Sequence, residues 1–155
     1  MHLFDENIKN LGLNIPDLPK ALANYVHYKI IGKTIYISGQ APVQNGELIY
    51  KGKVGSDISI EEGIEAAKLC VINIIAALKT GLEGDWDKLD SFVKLTGFVN
   101  CTNDFTKQPL VINGCSDLMK NVFGEKGVHA RAAVGVNSLP LGFSVEIEAI
   151  FQIQL

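Results

Sequence analysis

The sequence predicts an α+β domain in which two helices pack on one face of a mixed β-sheet. Apolar residues recur at helical spacing in two segments, residues 60–78 and residues 110–122. Runs rich in β-branched residues lie before, between and after these segments. Two amphipathic helices can both bury their apolar faces on one side of a single sheet, so this order favours α+β packing.

The length of the chain predicts a single domain. Its 155 residues are enough to bury a core without staples, and no long linker divides them, so we expect one domain over residues 1–155. Residues 1–20 are expected to be an N-terminal helical extension. Within it, Asp5 is placed to cap a short helix that runs to Leu11 and ends at Gly12.

Two turns near the N-terminus predict β-structure. Residues 26–31 and 34–38 are β-rich and are separated by Gly32 and Lys33, which predicts a hairpin. The Gln-Asn-Gly-Glu turn at residues 44–47 leads into a short strand at residues 48–50.

The first long helix has clear start and stop signals. Ser59 and Glu62 form a capping box, in which each side chain satisfies a free backbone donor of the other residue. Gly81 is suited to end the helix. The apolar positions of the helical repeat are Ile60, Ile64, Ala67, Val71, Ile75 and Leu78.

A central strand and a second helix follow. Residues 91–101 are mostly apolar, which predicts a strand buried on both faces. Pro109 suits the first turn of a helix that ends near Gly124. The apolar positions of this helix are Leu110, Val111, Cys115, Leu118, Met119 and Val122.

The C-terminal segment alternates between apolar and polar residues. Residues 145–153 place one apolar side chain at every second position, which is typical of a strand with one face in the core. With residues 130–136, joined through residues 139–142, this segment predicts a terminal hairpin. The helices would cover one face of the sheet, so we expect its other apolar face to be covered by oligomerisation.

Composition and charge exclude several classes of function. The net charge of −3 argues against a nucleic-acid binder, which usually presents a basic surface. No apolar run reaches the roughly 18 to 20 residues that cross a bilayer, so no membrane partner is expected. Residues 1–6 have neither a basic leader nor a continuous apolar run, so no signal peptide is expected.

The cysteines and histidines predict neither a disulfide framework nor a metal site. Three cysteines without a C-x-x-C pair predict reduced, mostly buried residues in a cytoplasmic protein. His2, His27 and His129 lie far apart and lack ligand-like spacing. No phosphate-loop motif is present either, and no cofactor is expected.

Arg131 is the sharpest functional signal in the sequence. Thirteen of the fourteen cationic side chains are lysines, and the single arginine opens an apolar strand after His129. Only the planar guanidinium can hold a carboxylate or phosphate through two parallel hydrogen bonds. The residue pattern therefore leaves two interpretations, which are recognition of an anion and a structural salt bridge.

Four more polar residues are candidates for binding. Ser38 precedes Gly39, which permits a close backbone approach to a ligand, although an ordinary strand exit has the same pattern. Asn113 stands beside a glycine in mid-helix, which also fits a close helix–sheet contact. Glu146 fits either a site near Arg131 or a solvated strand edge, and Tyr25 precedes the first strand.

Three segments together resemble the YjgF family, also called the Rid or reactive-intermediate deaminase family. Residues 38–43 (SGQAPV) resemble its S-G-Q-x-P-V segment, and residues 98–105 resemble its F-V…N-D-F turn. Residues 131–150 resemble its C-terminal R-x-x-V…L-P…V-E-I-E-A-I signature. The resemblance covers residues 25–152 and is greatest to a branch with an N-terminal helical extension.

The resemblance implies a fold, an assembly and an activity. The fold is chorismate-mutase-like, and the assembly is a homotrimer with three ligand clefts between subunits. The implied activity is hydrolysis of a 2-imino acid, formed from an enamine such as 2-aminoacrylate, to a 2-keto acid and ammonia. The arginine, here Arg131, would hold the substrate carboxylate, and Glu146 would position or activate a water.

The same resemblance assigns further cleft positions and shows one departure. Tyr25, Ser38 and Asn113 match cleft residues of the family. Many deaminating members have cysteine two residues after the arginine, whereas this chain has Ala133. An insertion at residues 106–109 is expected to reshape the rim of the cleft.

Three functions follow as hypotheses. The first is imine deamination by Arg131 and Glu146. The second is binding of small carboxylates such as 2-keto acids without turnover, which Ala133 favours. The third is the endoribonuclease or translation-inhibitor activity named for some members, against which the acidic charge balance argues.

Overall fold

The computed structural model of the protein describes residues 1–19 and 23–155. Lys20, the last residue of the expected N-terminal extension, lies outside the described residues. The helices are α1 (Leu3–Asn10), α2 (Ile60–Gly81) and α3 (Gln108–Phe123). The strands are β1 (Tyr28–Ile31), β2 (Thr34–Gln40), β3 (Val43–Gln44), β4 (Glu47–Leu48), β5 (Leu89–Asn100), β6 (Ala130–Val136) and β7 (Val145–Ile153).

Helix α1 is capped by His2, so the prediction that Asp5 caps it is wrong. The Nδ1 atom of His2 accepts a hydrogen bond from the backbone N–H of Phe4, at 3.1 Å. Asp5 lies in the first turn, where its carboxylate instead accepts from Lys79 Nζ and Trp86 Nε1, both at 3.0 Å. Asp5 therefore binds two donors that are distant in sequence, although local spacing had predicted it as the helix cap.

The predicted N-terminal turns are confirmed. Strands β1 and β2 pair antiparallel across Gly32 and Lys33, with Ile31 opposite Thr34. Asn45 and Gly46 both have positive φ, 53° and 78°, as a tight two-residue hairpin turn requires. The strand after this turn is β4, which starts earlier and is shorter than the predicted strand at residues 48–50.

Helix α2 has the predicted start and end. The backbone N–H of Ser59 donates to Glu62 Oε2 at 2.8 Å, and the backbone N–H of Glu62 donates to Ser59 Oγ at 3.1 Å. Both bonds of the capping box are thus present, and the helix ends at Gly81.

The sheet has the order β1-β2-β7-β5-β6, and the predicted terminal hairpin is wrong. Strand β7 pairs antiparallel with β2 and β5, whereas β6 pairs parallel with β5 at the edge of the sheet. Helix α3 returns the chain to the same end of the sheet, so the strand that follows it runs parallel to β5. The alternation identified both strands but carried no information about their neighbours.

Helices α2 and α3 lie on one face of the sheet, as predicted, and this face is called the helix face. Pro109 stands in the first turn of α3, and every second residue of β7 is buried against the helices. The two helices are in close contact at Gly114, where a Cβ atom would lie 2.6 Å from the carbonyl oxygen of Ile64. The glycine beside Asn113 therefore serves a helix–helix contact, whereas a helix–sheet contact was the structural alternative.

The opposite face of the sheet, here the outer face, carries exposed or half-buried apolar side chains. Within one chain β5 is therefore buried on one face only, contrary to prediction, since Lys94 on its outer face is exposed and Phe98 is half-buried. Apolar residues of the outer face are Ile31, Tyr36, Phe98, Val134 and Ile150. This is the face for which the sequence predicted a partner.

All three cysteines are buried, which confirms their prediction as core residues. Burial raises the pKa of the Cys70 and Cys115 thiols, so neither is a ready nucleophile. None of the helices in the described part of the chain combines the length and apolarity needed to cross a membrane.

Candidate functional site

Arg131 extends from the edge strand β6 on the helix face. It is paired with Leu95 of β5, which is fully buried in the core beneath α3. Since directly paired residues point to the same side of a sheet, the arginine lies beside the first turns of α3. Its side chain is half-buried there.

The guanidinium of Arg131 is held by two neutral acceptors. Its Nη1 donates to Ser116 Oγ at 3.1 Å, and its Nη2 donates to the carbonyl oxygen of Pro109 at 3.4 Å. Within residues 1–19 and 23–155, no carboxylate lies within 4.0 Å of it. The structural salt bridge that the sequence left open therefore has no partner in the described chain, and a guanidinium with five donors keeps several for a ligand.

Ser116 is in turn bonded to His129. Its Oγ lies 2.9 Å from His129 Nε2, and His129 Nδ1 lies 2.7 Å from the carbonyl oxygen of Gly127. Burial lowers the pKa of His129, and the charge of Arg131 adds to this effect, whereas the Gly127 carbonyl opposes it. The imidazole is therefore neutral at physiological pH.

Ala133 shares the strand face of Arg131, and Asn113 shares a helical stripe with its two hydrogen-bond partners. Ala133 lies two residues further along β6, on the same face, and pairs with Gly97. Asn113 stands between Pro109 and Ser116 on one stripe of α3, at spacing i, i+4 and i+7. It also lines a groove between α2 and α3. We call Arg131, Ala133, Asn113, Ser116 and His129 the arginine half-site.

Ser38 and Glu146 lie close together at a second place, whereas Tyr25 is 54% exposed on the segment that leads into β1. Ser38 Oγ donates to the carbonyl oxygen of Val26 at 2.6 Å, which ties the segment after Tyr25 to β2. Strand β2 then has a bulge against β7. At this bulge a Cβ on Gly39 would lie 3.0 Å from the Glu146 carboxyl carbon. The glycine thus admits a carboxylate of the same chain, where the sequence suggested close approach by a ligand.

Glu146 has the electrostatic environment of a proton acceptor. Burial raises the pKa of its carboxyl group, and the negative charge of Glu148 raises it further. A base with a raised pKa accepts protons more readily near neutral pH. We call Ser38, Gly39 and Glu146 the glutamate half-site.

The two half-sites lie on opposite faces of the sheet. Glu146 pairs with Phe98 of β5, and both point to the outer face, whereas Arg131 pairs with Leu95 on the helix face. One chain therefore cannot bring Arg131 and Glu146 to the same small ligand. The sequence-based idea that Glu146 approaches Arg131 is not met within one subunit.

Sequence reasoning missed two groups that hold Arg131. Ser116 and the carbonyl of Pro109 were not candidates, although helical spacing places both on the stripe of Asn113. Among the described residues, no three His, Cys, Asp or Glu side chains cluster as a metal site would require.

Comparisons with known proteins agree with this architecture. A solved structure of a protein of unknown function from Agrobacterium tumefaciens is 44% identical, with a TM-score of 0.93 over 98% of this chain and 93% of that chain. "Protein TCP17" of Trypanosoma cruzi is 38% identical over 95% of this chain and 92% of that protein. A goat (Capra hircus) protein named "2-iminobutanoate/2-iminopropanoate deaminase" is 33% identical over 85% of this chain and 82% of that protein.

The fold is the mixed sheet with helices on one face that the sequence predicted, and its structural relatives share the chorismate-mutase-like architecture. Residues 5–151 match the family described as "YjgF/chorismate_mutase-like, putative endoribonuclease", and the chain belongs to this family.

Proposed function

We propose that this protein hydrolyses small 2-imino acids, formed from enamines such as 2-aminoacrylate, to 2-keto acids and ammonia. The observation that carries the proposal is the state of Arg131. Its guanidinium is held by neutral acceptors and has no carboxylate partner in the described chain, so it can bind a substrate carboxylate through two hydrogen bonds. The name of the goat relative specifies the same chemistry for that protein.

The complete site is proposed to form between two subunits of a homotrimer. Arg131 and Glu146 lie on opposite faces of one sheet, so a ligand that meets both must lie between two chains. The apolar outer face next to Glu146 would be covered by the neighbouring subunit, which supplies the missing half of the site.

The reaction needs a fixed carboxylate, a water and a proton acceptor. With the imine nitrogen protonated, the C2 carbon is electrophilic enough for water to attack without a covalent nucleophile. As the water oxygen bonds to C2, Glu146 accepts its proton, which gives a carbinolamine. The Glu146 carboxyl then returns this proton to the nitrogen. The C–N bond breaks, and the hydroxyl proton passes to Glu146 and from there to the departing ammonia. The 2-keto acid and ammonium then leave, and Glu146 is ionised again.

The test generates 2-aminoacrylate in situ and follows release of pyruvate and ammonia. The wild type should exceed the uncatalysed rate, and Arg131→Ala should lower kcat/KM by roughly 100-fold, because the ion pair with the substrate carboxylate is lost. Arg131→Lys keeps the charge but cannot bind bidentately, so it should recover only part of the activity. Lys120→Ala removes an exposed cation elsewhere on α3 and should behave as wild type.

Two results would overturn the proposal. One is a wild-type rate equal to the uncatalysed rate. The other is an Arg131→Ala variant that is as active as wild type while remaining folded.

Binding of 2-keto acids without turnover is a second candidate, which Ala133 favours. An alanine methyl stands beside Arg131 where many deaminating members of the family carry a polar sulfur. This candidate predicts that calorimetry shows saturable binding of 2-ketobutyrate, lost in Arg131→Ala, with no release of ammonia. It further predicts that Ala133→Cys gains hydrolysis, whereas in a competent deaminase the same change has little effect.

A further inference from the structure

We propose that His129 is a positioning residue that acts through the Ser116 hydroxyl to hold the Arg131 guanidinium in one orientation for a carboxylate ligand. The proposal deepens the function proposed above, on which it rests for the identity of the ligand. It starts from a continuous chain of hydrogen bonds that runs from the Gly127 carbonyl to the guanidinium.

The direction of every bond in this chain is determined by chemistry. A carbonyl oxygen can only accept, so His129 Nδ1 carries the proton that it donates to Gly127. In the neutral ring Nε2 is then an acceptor, and the Ser116 hydroxyl must donate to it. With its only proton directed at His129, Ser116 Oγ presents its lone pairs to Arg131 Nη1.

The far end of the chain is fixed by the core. The His129 ring packs on Phe92 at 4.2 Å between centroids, and Phe92 stacks on Phe151 at 4.4 Å. Phe92 and Phe151 are almost completely buried. The backbone at Gly127 is also tightly packed, since a Cβ atom at this position would lie 2.8 Å from the carbonyl carbon of Met119. The imidazole therefore has a rigid platform and a rigid hydrogen-bond acceptor.

This arrangement gives the chain of hydrogen bonds a role beyond joining β6 to α3. A free arginine side chain samples many rotamers and loses that freedom when it binds a ligand. Ser116 and the Pro109 carbonyl hold two of its nitrogens in advance, and His129 determines that the serine accepts rather than donates. An alcohol that turned its proton toward the guanidinium would offer it no acceptor in that direction.

The test compares four variants in the full-length protein. Ser116→Ala removes the acceptor for Arg131. His129→Phe keeps a ring on Phe92 but removes the acceptor for Ser116, and Ser116→Ala/His129→Phe combines the two changes. His129→Gln is the conservative control, because its amide oxygen can accept near the position of Nε2. Thermal unfolding of each variant reports effects on folding separately.

The ligand-free measurement is NMR of the guanidinium, which is unambiguous because the chain has a single arginine. The proposal predicts slow exchange between the two Nη groups in wild type and His129→Gln. Exchange should be faster than in wild type in Ser116→Ala and in His129→Phe. In the double variant it should be no faster than in Ser116→Ala. It also predicts the Nδ1–H tautomer of His129, and an Nε2–H tautomer would overturn it.

The binding measurement is calorimetry with 2-ketobutyrate. Loss of one hydrogen bond to a charged group predicts that Kd rises about tenfold in Ser116→Ala and in His129→Phe. The double variant should bind 2-ketobutyrate no more weakly than Ser116→Ala does, because both changes break the same chain of hydrogen bonds. Additive effects, or a His129→Phe variant with wild-type affinity, would overturn the positioning role.

The two proposals fail differently. A wild type that binds no 2-keto acid contradicts the proposed function, whereas the NMR comparison still supports or overturns the positioning role. Unchanged guanidinium exchange in His129→Phe overturns the positioning role even where binding persists.

Discussion

At the scale of single residues, Glu146 is the group whose protonation state controls the proposed chemistry. Its carboxyl pKa is raised by burial and, second, by the charge of Glu148. A general base must be ionised, so the rate should fall as the pH falls through this raised pKa. Glu148→Gln removes the second cause, and we expect the acid limb of the profile of kcat/KM against pH to move to lower pH.

The control for this prediction is Glu61→Gln, an exposed acid at the start of α2. An equal movement of the acid limb in this variant would contradict the local cause. The contribution of Glu146 to stability changes with pH in the opposite direction to activity. Because folding raises the pKa of Glu146, its contribution to stability is full below the unfolded-state pKa and is lost as the pH rises through the folded value. Glu148→Gln should reduce that loss.

Gly39 provides a second prediction at this scale. A Cβ at this position would lie 3.0 Å from the Glu146 carboxyl carbon and 3.1 Å from Oε1, so Gly39→Ala must displace the carboxylate. A side-chain shift of this kind costs about 1 kcal/mol or less of stability. A misplaced catalytic group lowers kcat much more, by about 10- to 100-fold.

The measurement for Gly39→Ala is steady-state kinetics together with urea unfolding. Because the clash is with Glu146, the stability effect should vanish when the change is made in a Glu146→Ala background. An equal loss of stability in both backgrounds would show that the alanine disturbs the backbone of the bulge instead.

The sequence predicted Arg131 and Glu146 as functional residues but missed Ser116. A lone arginine and a strand-end glutamate differ from their surroundings, whereas a serine on a helix has no distinctive local pattern. Its role depends on two side chains outside its helix, Arg131 in β6 and His129 just before that strand.

At the scale of elements, α1 is joined to the body of the protein by a polar anchor. Asp5 accepts from Lys79 and Trp86, and Phe4 packs edge-on against Trp86 and Phe123. Asp5→Ala should lower the free energy of unfolding by about 1 to 2 kcal/mol, because two hydrogen bonds to a charged group are lost. Glu6→Ala removes the neighbouring exposed acid and should change it by less than about 0.5 kcal/mol.

The same anchor should make stability depend on pH. Burial alone would raise the pKa of Asp5, but the hydrogen bonds from Trp86 and Lys79 outweigh it and lower the pKa. The stabilisation is present above the unfolded-state pKa, about 3.9, and is lost as the pH falls through the lower folded value. Urea unfolding between neutral and acid pH should show a smaller acid loss in Asp5→Asn. An equal loss would contradict the anchor.

The errors at the scale of elements have one cause. Capping boxes, turns and alternation depend on residues a few positions apart, and α2, the β1–β2 turn and β7 were predicted correctly. Which strands β6 and β7 pair with depends on where α3 returns the chain to the sheet, and a local sequence pattern contains no information about that position.

At the scale of the whole molecule, the opposite orientations of Arg131 and Glu146 make a quantitative prediction. In a homotrimer with intersubunit clefts, Arg131→Ala and Glu146→Gln are each inactive, but they disable different halves of each cleft. Refolding an equal mixture should give clefts of which about one quarter have both halves intact, and deaminase activity should return to about that fraction of wild type.

The control replaces the Glu146→Gln subunits with the double variant Arg131→Ala/Glu146→Gln, which contributes no intact half and should restore nothing. Light scattering should give a mass of three 16.8 kDa chains for the wild type and for both single variants. A trimeric mixture without recovered activity would contradict a cleft shared between subunits.

The sequence by itself determined the helices, most of the turns and the alternating strand, and it predicted Arg131 and Glu146 as the residues of greatest chemical interest. These features depend on side-chain type and on spacing along a short stretch of chain. Only the tertiary structure decided that β5 separates β6 from β7 and that Arg131 is held by Ser116 and Pro109. It also decided that the Glu146 side chain points to the face of the sheet opposite to Arg131. Each of these depends on which distant segments pack together, because strand pairing and core burial are set by the whole chain.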